Sequence, residues 1–245
     1  MRKLIAVCCA LLLSACGGGG GGESGPPQSP GGVYTGTFHS NAANVTFPVK
    51  GVVSEAGRFF FVDLDNGPIY QGAGNTKGDK YDGFFKAFAP DGFEFINGDA
   101  VTEGPILGTI DERGTLIGTY RAQGGDTGTF NLTYVPAEYE IASSLGLLVG
   151  TWNSTNDGVT STITIAASGK FTGTDSDGCT YSGTVSLVDP DFNAYHVTTN
   201  QVCGGTTNGM GGVLTYTPAV GAGKPTFAVG LGGVKVGIFA IFTKS

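Results

Sequence analysis

The chain has 245 residues, of which 44 are Gly and 11 are Pro, while 40% are hydrophobic and 13% charged. Gly and Pro at that density weaken helix interiors, and without collagen's period of three the composition excludes a helical bundle and leaves strands, turns and linker. The hydrophobic share is too high for a disordered chain, and a formal net charge of −7 with no Lys/Arg cluster after Lys3 excludes a nucleic-acid reader, which needs a basic face.

Residues 1–15 read as an export signal: Arg2 and Lys3 precede an apolar run from Leu4 to Leu13, too short for a bilayer span of about 20 residues. The next feature, Leu13-Ser14-Ala15-Cys16, resembles the lipobox of bacterial lipoproteins. That resemblance implies cleavage before Cys16, acylation of its thiol and new amino group, and a membrane partner through the lipid anchor. Multiple chains are needed because a single acyl chain gives only marginal membrane residence. Gly17 after the cysteine implies, by the sorting rule of that family, the cell outer membrane; periplasmic and surface-facing orientations both stay open. Residues 16–32, with consecutive glycines from Gly17 to Gly22 and then Pro26, Pro27 and Pro30, form a tether that cannot bury enough apolar surface to fold.

From Val33 onward short Val-, Ile-, Thr-, Phe- and Tyr-rich segments are each closed by a turn signal, the spacing of an antiparallel meander. The signals are Asn66-Gly67, Asp82-Gly83, Asp91-Gly92, Asn97-Gly98, Asp157-Gly158, Asp177-Gly178 and Asn208-Gly209, with a second form at Glu55-Ala56-Gly57, Glu112-Arg113-Gly114 and Ala167-Ser168-Gly169. The pattern repeats loosely. One unit opens at Gly32-Val33-Tyr34 and the next at Gly150-Thr151-Trp152, and about eight strands fit in each. The expectation is an all-β chain of antiparallel up-and-down barrel-like lobes over 33–135 and 147–245, joined over 136–146 by a linker with a short helix at Ala137–Ala142. A closed barrel removes exposed edges, although the same spacing permits a sandwich. Alternation places Ile163, Ile165, Val234, Val236 and Ile238 inward, and Tyr139, Ile141 and Leu145 can plug a barrel end. Gly173, Gly183, Gly230 and Gly237 are expected to allow strand bending.

Cys8 and Cys9 leave with the signal and Cys16 is acylated, so Cys179 and Cys203 remain and in an oxidising envelope form a disulfide. Anchor, tether, lobes and this cysteine pair together resemble two-lobed Gly-rich proteobacterial lipoproteins, and more distantly the barrel-bearing surface lipoproteins of the transferrin-binding and factor H-binding types. The Gly150-Thr151-Trp152 opening is also similar to the Gly-x-Trp strand of lipocalins and avidins, which implies that Trp152 closes a barrel end.

Catalysis has little support, because His39 and His196 are the only histidines and no Gly-x-Ser-x-Gly elbow occurs. His196, between inward-pointing Tyr195 and Val197, faces solvent or the other lobe. The Asp63-x-Asp65 and Asp175-x-Asp177 segments turn too early for a calcium loop and read as hairpin turns; no metal or cofactor is expected. Aromatics are concentrated in the first lobe, at Phe59–Phe61 and at Tyr81, Phe84, Phe85, Phe88, Phe93 and Phe95. On a strand Phe84 and Phe88 share one face and Phe85 the other, so large rings lie outside the barrel unless covered. Phe60, Phe84, Phe85 and Phe88 are therefore candidates for contact with a protein or glycan partner, and Phe239 and Ile241 for packing between lobes. The functional expectation is a non-catalytic binding module; the alternative is a lipocalin-like carrier of a small apolar ligand.

Overall fold

A computed structural model describes residues 26–65, 67–156 and 158–245. The predicted signal peptide, Cys16 and the glycine run of the tether lie outside the described residues, as do Asn66 and Asp157 of the predicted turns.

The chain is all-β, and its strands close into two barrels of eight antiparallel strands, so the sandwich is set aside. Lobe one comprises β1 (Gly32–Ser40), β2 (Val45–Val53), β3 (Arg58–Asp63), β4 (Ile69–Lys77), β5 (Lys80–Phe88), β6 (Val101–Asp111), β7 (Thr115–Arg121) and β8 (Thr127–Tyr134). It closes where β8 returns to β1, with Phe38 opposite Phe130. Lobe two comprises β9 (Gly150–Asn156), β10 (Val159–Ile165), β11 (Lys170–Asp175), β12 (Thr180–Leu187), β13 (Tyr195–Cys203), β14 (Thr206–Thr217), β15 (Thr226–Gly232) and β16 (Gly237–Lys244). Its seam is narrow: β16 meets β9 at Thr243 opposite Asn153 and Lys244 opposite Trp152.

Period-two burial drives both closures. Along β8, Phe130, Leu132 and Tyr134 point inward between exposed Thr129, Asn131 and Thr133. The interior of lobe one is filled by rings, Phe38 touching Phe61, Tyr70 and Phe130 at centroid distances of 5.1–5.8 Å. Voids of about 10 Å³ lie among rings deep in this barrel. Lobe two has fewer aromatics and keeps an apolar cavity of about 80 Å³ among residues such as Phe171, Val197, Leu214 and Phe242.

The linker forms two single-turn helices, α1 (Pro136–Tyr139) and α2 (Leu145–Leu148), rather than one helix over 137–142. Tertiary hydrogen bonds interrupt it: Ser143 Oγ donates to the Asp189 carbonyl at 3.0 Å, and the Ser144 amide donates to the Tyr195 hydroxyl at 3.1 Å. Tyr139 is fully buried against lobe one and stacks at 5.2 Å on Phe192 from the β12–β13 connection of lobe two, while Leu148 caps lobe two.

Two predicted turns lie inside strands. Asp82-Gly83 falls within β5, the hairpin being made earlier by Gly78 (φ 59°). Gly83 faces Gly74 across the ladder, and a Cβ there would meet the Ala73 carbonyl oxygen at 2.7 Å, so this glycine serves close strand approach. Asn208-Gly209 falls within β14 because Gly204 and Gly205 (φ 54° and 81°) supply both positive-φ positions of a two-residue turn. Val234 and Val236 belong to the turn before β16 and are exposed, not inward.

The disulfide Cys179–Cys203 is formed, with a Cα–Cα distance of 4.4 Å, and closes the far end of the β12–β13 pair.

The lobes lie side by side. Phe60 of β3 stacks on Phe239 of β16 at 5.5 Å, and a Cβ on Gly230, Gly232 or Gly237 would overlap Phe60, Gln71 or Phe88. Gly230 and Gly237 thus receive rings from the other lobe. At the linker end Ser54 Oγ lies 3.0 Å from His196 Nε2, and at the opposite end Lys86 Nζ reaches the Val234 carbonyl. Like ends of the barrels are therefore level.

Candidate binding site

The ends of lobe one differ. At the end where the described chain begins, the Gln28 amide donates to the Gly78 carbonyl at 2.8 Å, Ser29 Oγ donates to Glu55, and the Tyr34 hydroxyl donates to the Pro30 carbonyl at 3.1 Å. Tyr139 covers the same end and donates to Glu55 at 3.2 Å. That end is sealed.

The opposite end carries the turns after β1, β3, β5 and β7, and here a partly open recess of about 200 Å³ penetrates the barrel. Its walls are Phe47 of β2, Tyr70 of β4, Phe85 of β5 and Tyr120 of β7, all on inward positions. Phe47 and Tyr70 stack at 6.1 Å with planes 13° apart, and Phe85 meets Tyr120 edge-on at 5.7 Å. The rim is the loop over residues 89–100, folded back by the Ala89 amide on the Ala100 carbonyl (2.9 Å) and the Phe95 amide on the Asp99 carbonyl (2.8 Å). Phe95 turns into the recess, while Phe93 and Ile96 stand 61% and 59% exposed.

Charge in this recess is of one sign. Asp126, in the β7–β8 turn, accepts from Ser40 Oγ at 3.0 Å on both oxygens, from the Ala42 amide at 3.1 Å and from the Tyr120 hydroxyl at 3.1 Å. Glu94 is exposed on the rim, and no Lys or Arg lines the recess. Burial, then the charge of Asp126, pushes the Tyr120 hydroxyl above its ordinary pKa, so it stays a protonated donor. Burial does the same to Tyr70.

The aromatic residues singled out from sequence scatter. Phe84 alone is exposed, at 50%; Phe85 is buried in the barrel as part of the recess floor, and Phe60 and Phe88 are buried between the lobes. The expected outward partner-binding patch therefore does not exist as a unit, because the second barrel covers half of it. Phe239 packs between lobes as expected, but Ile241 remains 54% exposed beside an interlobe groove of about 310 Å³. Trp152 is fully buried at the linker end of lobe two, donating from Nε1 to the Leu148 carbonyl at 2.7 Å and meeting Phe227 at 4.8 Å. Among the described residues no His, Cys, Asp and Glu group could hold a metal ion. The carboxylates of Asp63 and Asp175 instead accept amides two residues on, from Asp65 and Asp177, and organise turns.

Sequence reasoning passed over Phe47, Tyr70, Tyr120 and Asp126, which come from separate strands and a turn. Their inward parity was readable, but the parity of a ring does not say which barrel end is open. Phe93 and Phe95 were counted among the surplus aromatics, and the Asp91-Gly92 and Asn97-Gly98 turns on either side of them are formed, with φ of 82° and 79° at the glycines.

No protein family, curated protein or solved structure matches the chain.

Proposed function

We propose that the protein is a non-catalytic, lipid-anchored outer-membrane binding module whose working surface is the recess of lobe one. The observation that carries this reading is the placement of the recess: it lies at the barrel end opposite the sealed end where the chain leads back toward Cys16. A tether from Cys16 holds the sealed end toward the bilayer and presents the recess, with its exposed Phe93 and Ile96, away from it. Exposed apolar side chains around a concave site favour protein or glycan contact.

A photo-crosslinker placed at Phe93 is expected to capture a partner saturably in envelope or host extracts, whereas the same group at Val220, 84% exposed on the linker side of lobe two, captures none. Equal capture at both positions, or none at Phe93, sinks the reading. Anchoring is tested separately: labelled palmitate is expected in the wild-type chain and absent in Cys16→Ser.

The carrier alternative rests on the cavity of lobe two. At about 80 Å³ it is smaller than the cavity of about 150 Å³ that holds a benzene molecule, so an acyl chain has no room. Native mass spectrometry is expected to give the mass of the acylated chain alone; a stoichiometric additional apolar molecule would revive the carrier.

A further inference from the structure

We infer that the recess of lobe one takes an organic cation, an alkylammonium or guanidinium group, between the Phe47–Tyr70 stack and the Asp126 carboxylate. The inference rests on the binding-module reading and specifies the chemistry of its site.

Several independent features converge. The walls are aromatic rings, whose faces attract cations through their quadrupole most strongly where water is excluded. Asp126 is held in the recess by neutral donors only: a serine hydroxyl, a tyrosine hydroxyl and a backbone amide. The described ion pairs, Lys50–Glu138, Lys80–Asp79 and Lys86–Glu103, leave Asp126 and Glu94 without a cation. The rim loop over 89–100 adds Asp91, Glu94 and Asp99 and contains no Lys or Arg. An anion would meet uncompensated repulsion here, and a purely apolar ligand would desolvate Asp126 for nothing.

Size sets the scale of the ligand. About 200 Å³ exceeds the roughly 150 Å³ that suffices for benzene but falls below the roughly 300 Å³ where pockets for drug-sized molecules begin. The recess therefore accepts a group of side-chain size. That group belongs either to a small free amine or to a Lys or Arg side chain presented by a partner.

Amide NMR of the purified full chain, titrated with n-butylammonium and n-butylguanidinium and in parallel with n-butanol and butyrate, tests this. The cations are expected to shift Ala43, Gly124 and Asp126 saturably, roughly ten-fold more tightly than n-butanol. Added salt should weaken them. Asp126→Asn should abolish the preference for cations. Because Asp126 also orders the β1–β2 turn, Glu94→Gln, whose side chain makes no described hydrogen bond, serves as a second variant and should reduce the preference in part. Equal binding of n-butanol at the same amides overturns the cation and leaves the binding-module reading standing. Shifts confined to other surfaces, or tighter butyrate, overturn the cation outright. A lysine-bearing octapeptide separates the sources: binding tighter than butylammonium and lost on lysine acetylation marks a partner's side chain, and equal binding marks a free amine, either result upholding the cation.

Discussion

At the scale of single residues, the contact between lobes depends on side chains that are absent. Gly230 is buried beneath the Phe60 ring, and the Cβ of an alanine would occupy that ring's place. Gly230→Ala should lower stability by about 1–3 kcal/mol, the usual cost of overpacking. In a double-mutant cycle with Phe60→Ala measured by urea unfolding, the two losses should fail to add, by roughly 1 kcal/mol or more. Additive losses would mean that the lobes do not press together at this point. His196 offers a second test, since burial and then the nearby Arg58 guanidinium hold its pKa below the ordinary 6.5. The folded chain favours neutral imidazole beside Ser54. The stability this contact provides is complete above about pH 6.5 and is lost as pH falls through the lower folded value. The Tm should therefore drop on acidification below pH 6.5, and His196→Gln should flatten that part of the profile; an unchanged profile would place the acid sensitivity elsewhere.

At the scale of elements, the β12–β13 pair is stapled by Cys179 and Cys203 across a sequence separation of 24. In the chain-entropy account a closed loop of that length contributes about 3.5 kcal/mol, so reduction or Cys203→Ser should shift chemical unfolding by about that amount without changing the ring packing of lobe one. Near-UV circular dichroism separates these signals, Trp152 reporting on lobe two. The same hairpin shows what sequence patterns could and could not give. Existence of the strands, their inward parity at Tyr195 and Val197, and the cysteine pairing were legible, because each follows from local alternation or from counting thiols. The next turn, from β13 into β14, is placed by sequence at Asn208-Gly209 but forms at Gly204-Gly205: two equivalent glycine signals compete, and the ladder register chooses between them. The linker was misread for a related reason, since Pro136 and its neighbours suit a helix but the Asp189 carbonyl and the Tyr195 hydroxyl, distant in sequence, accept from the Ser143 hydroxyl and the Ser144 amide.

At the scale of the whole molecule, the side-by-side barrels decide which aromatics are available to a partner. Phe60, Phe84 and Phe88 share an outward disposition on their strands, yet only Phe84 meets solvent, because lobe two covers the others. A chain cut after Val135 would expose Phe60 and Phe88 together, and dye binding to that fragment should rise well above that of the intact chain; no rise would mean that lobe one rearranges when alone. The sequence by itself determined the all-β class, the two eight-stranded lobes and the disulfide partners, because composition, period-two alternation, turn chemistry and cysteine arithmetic are local properties. Only the tertiary structure decided which barrel end is sealed, which rings are shared between lobes, and that Phe47, Tyr70, Tyr120 and Asp126 converge on one recess. Those outcomes depend on closing a sheet and docking two barrels, and the distances that closure brings together are not encoded in the spacing of any single segment.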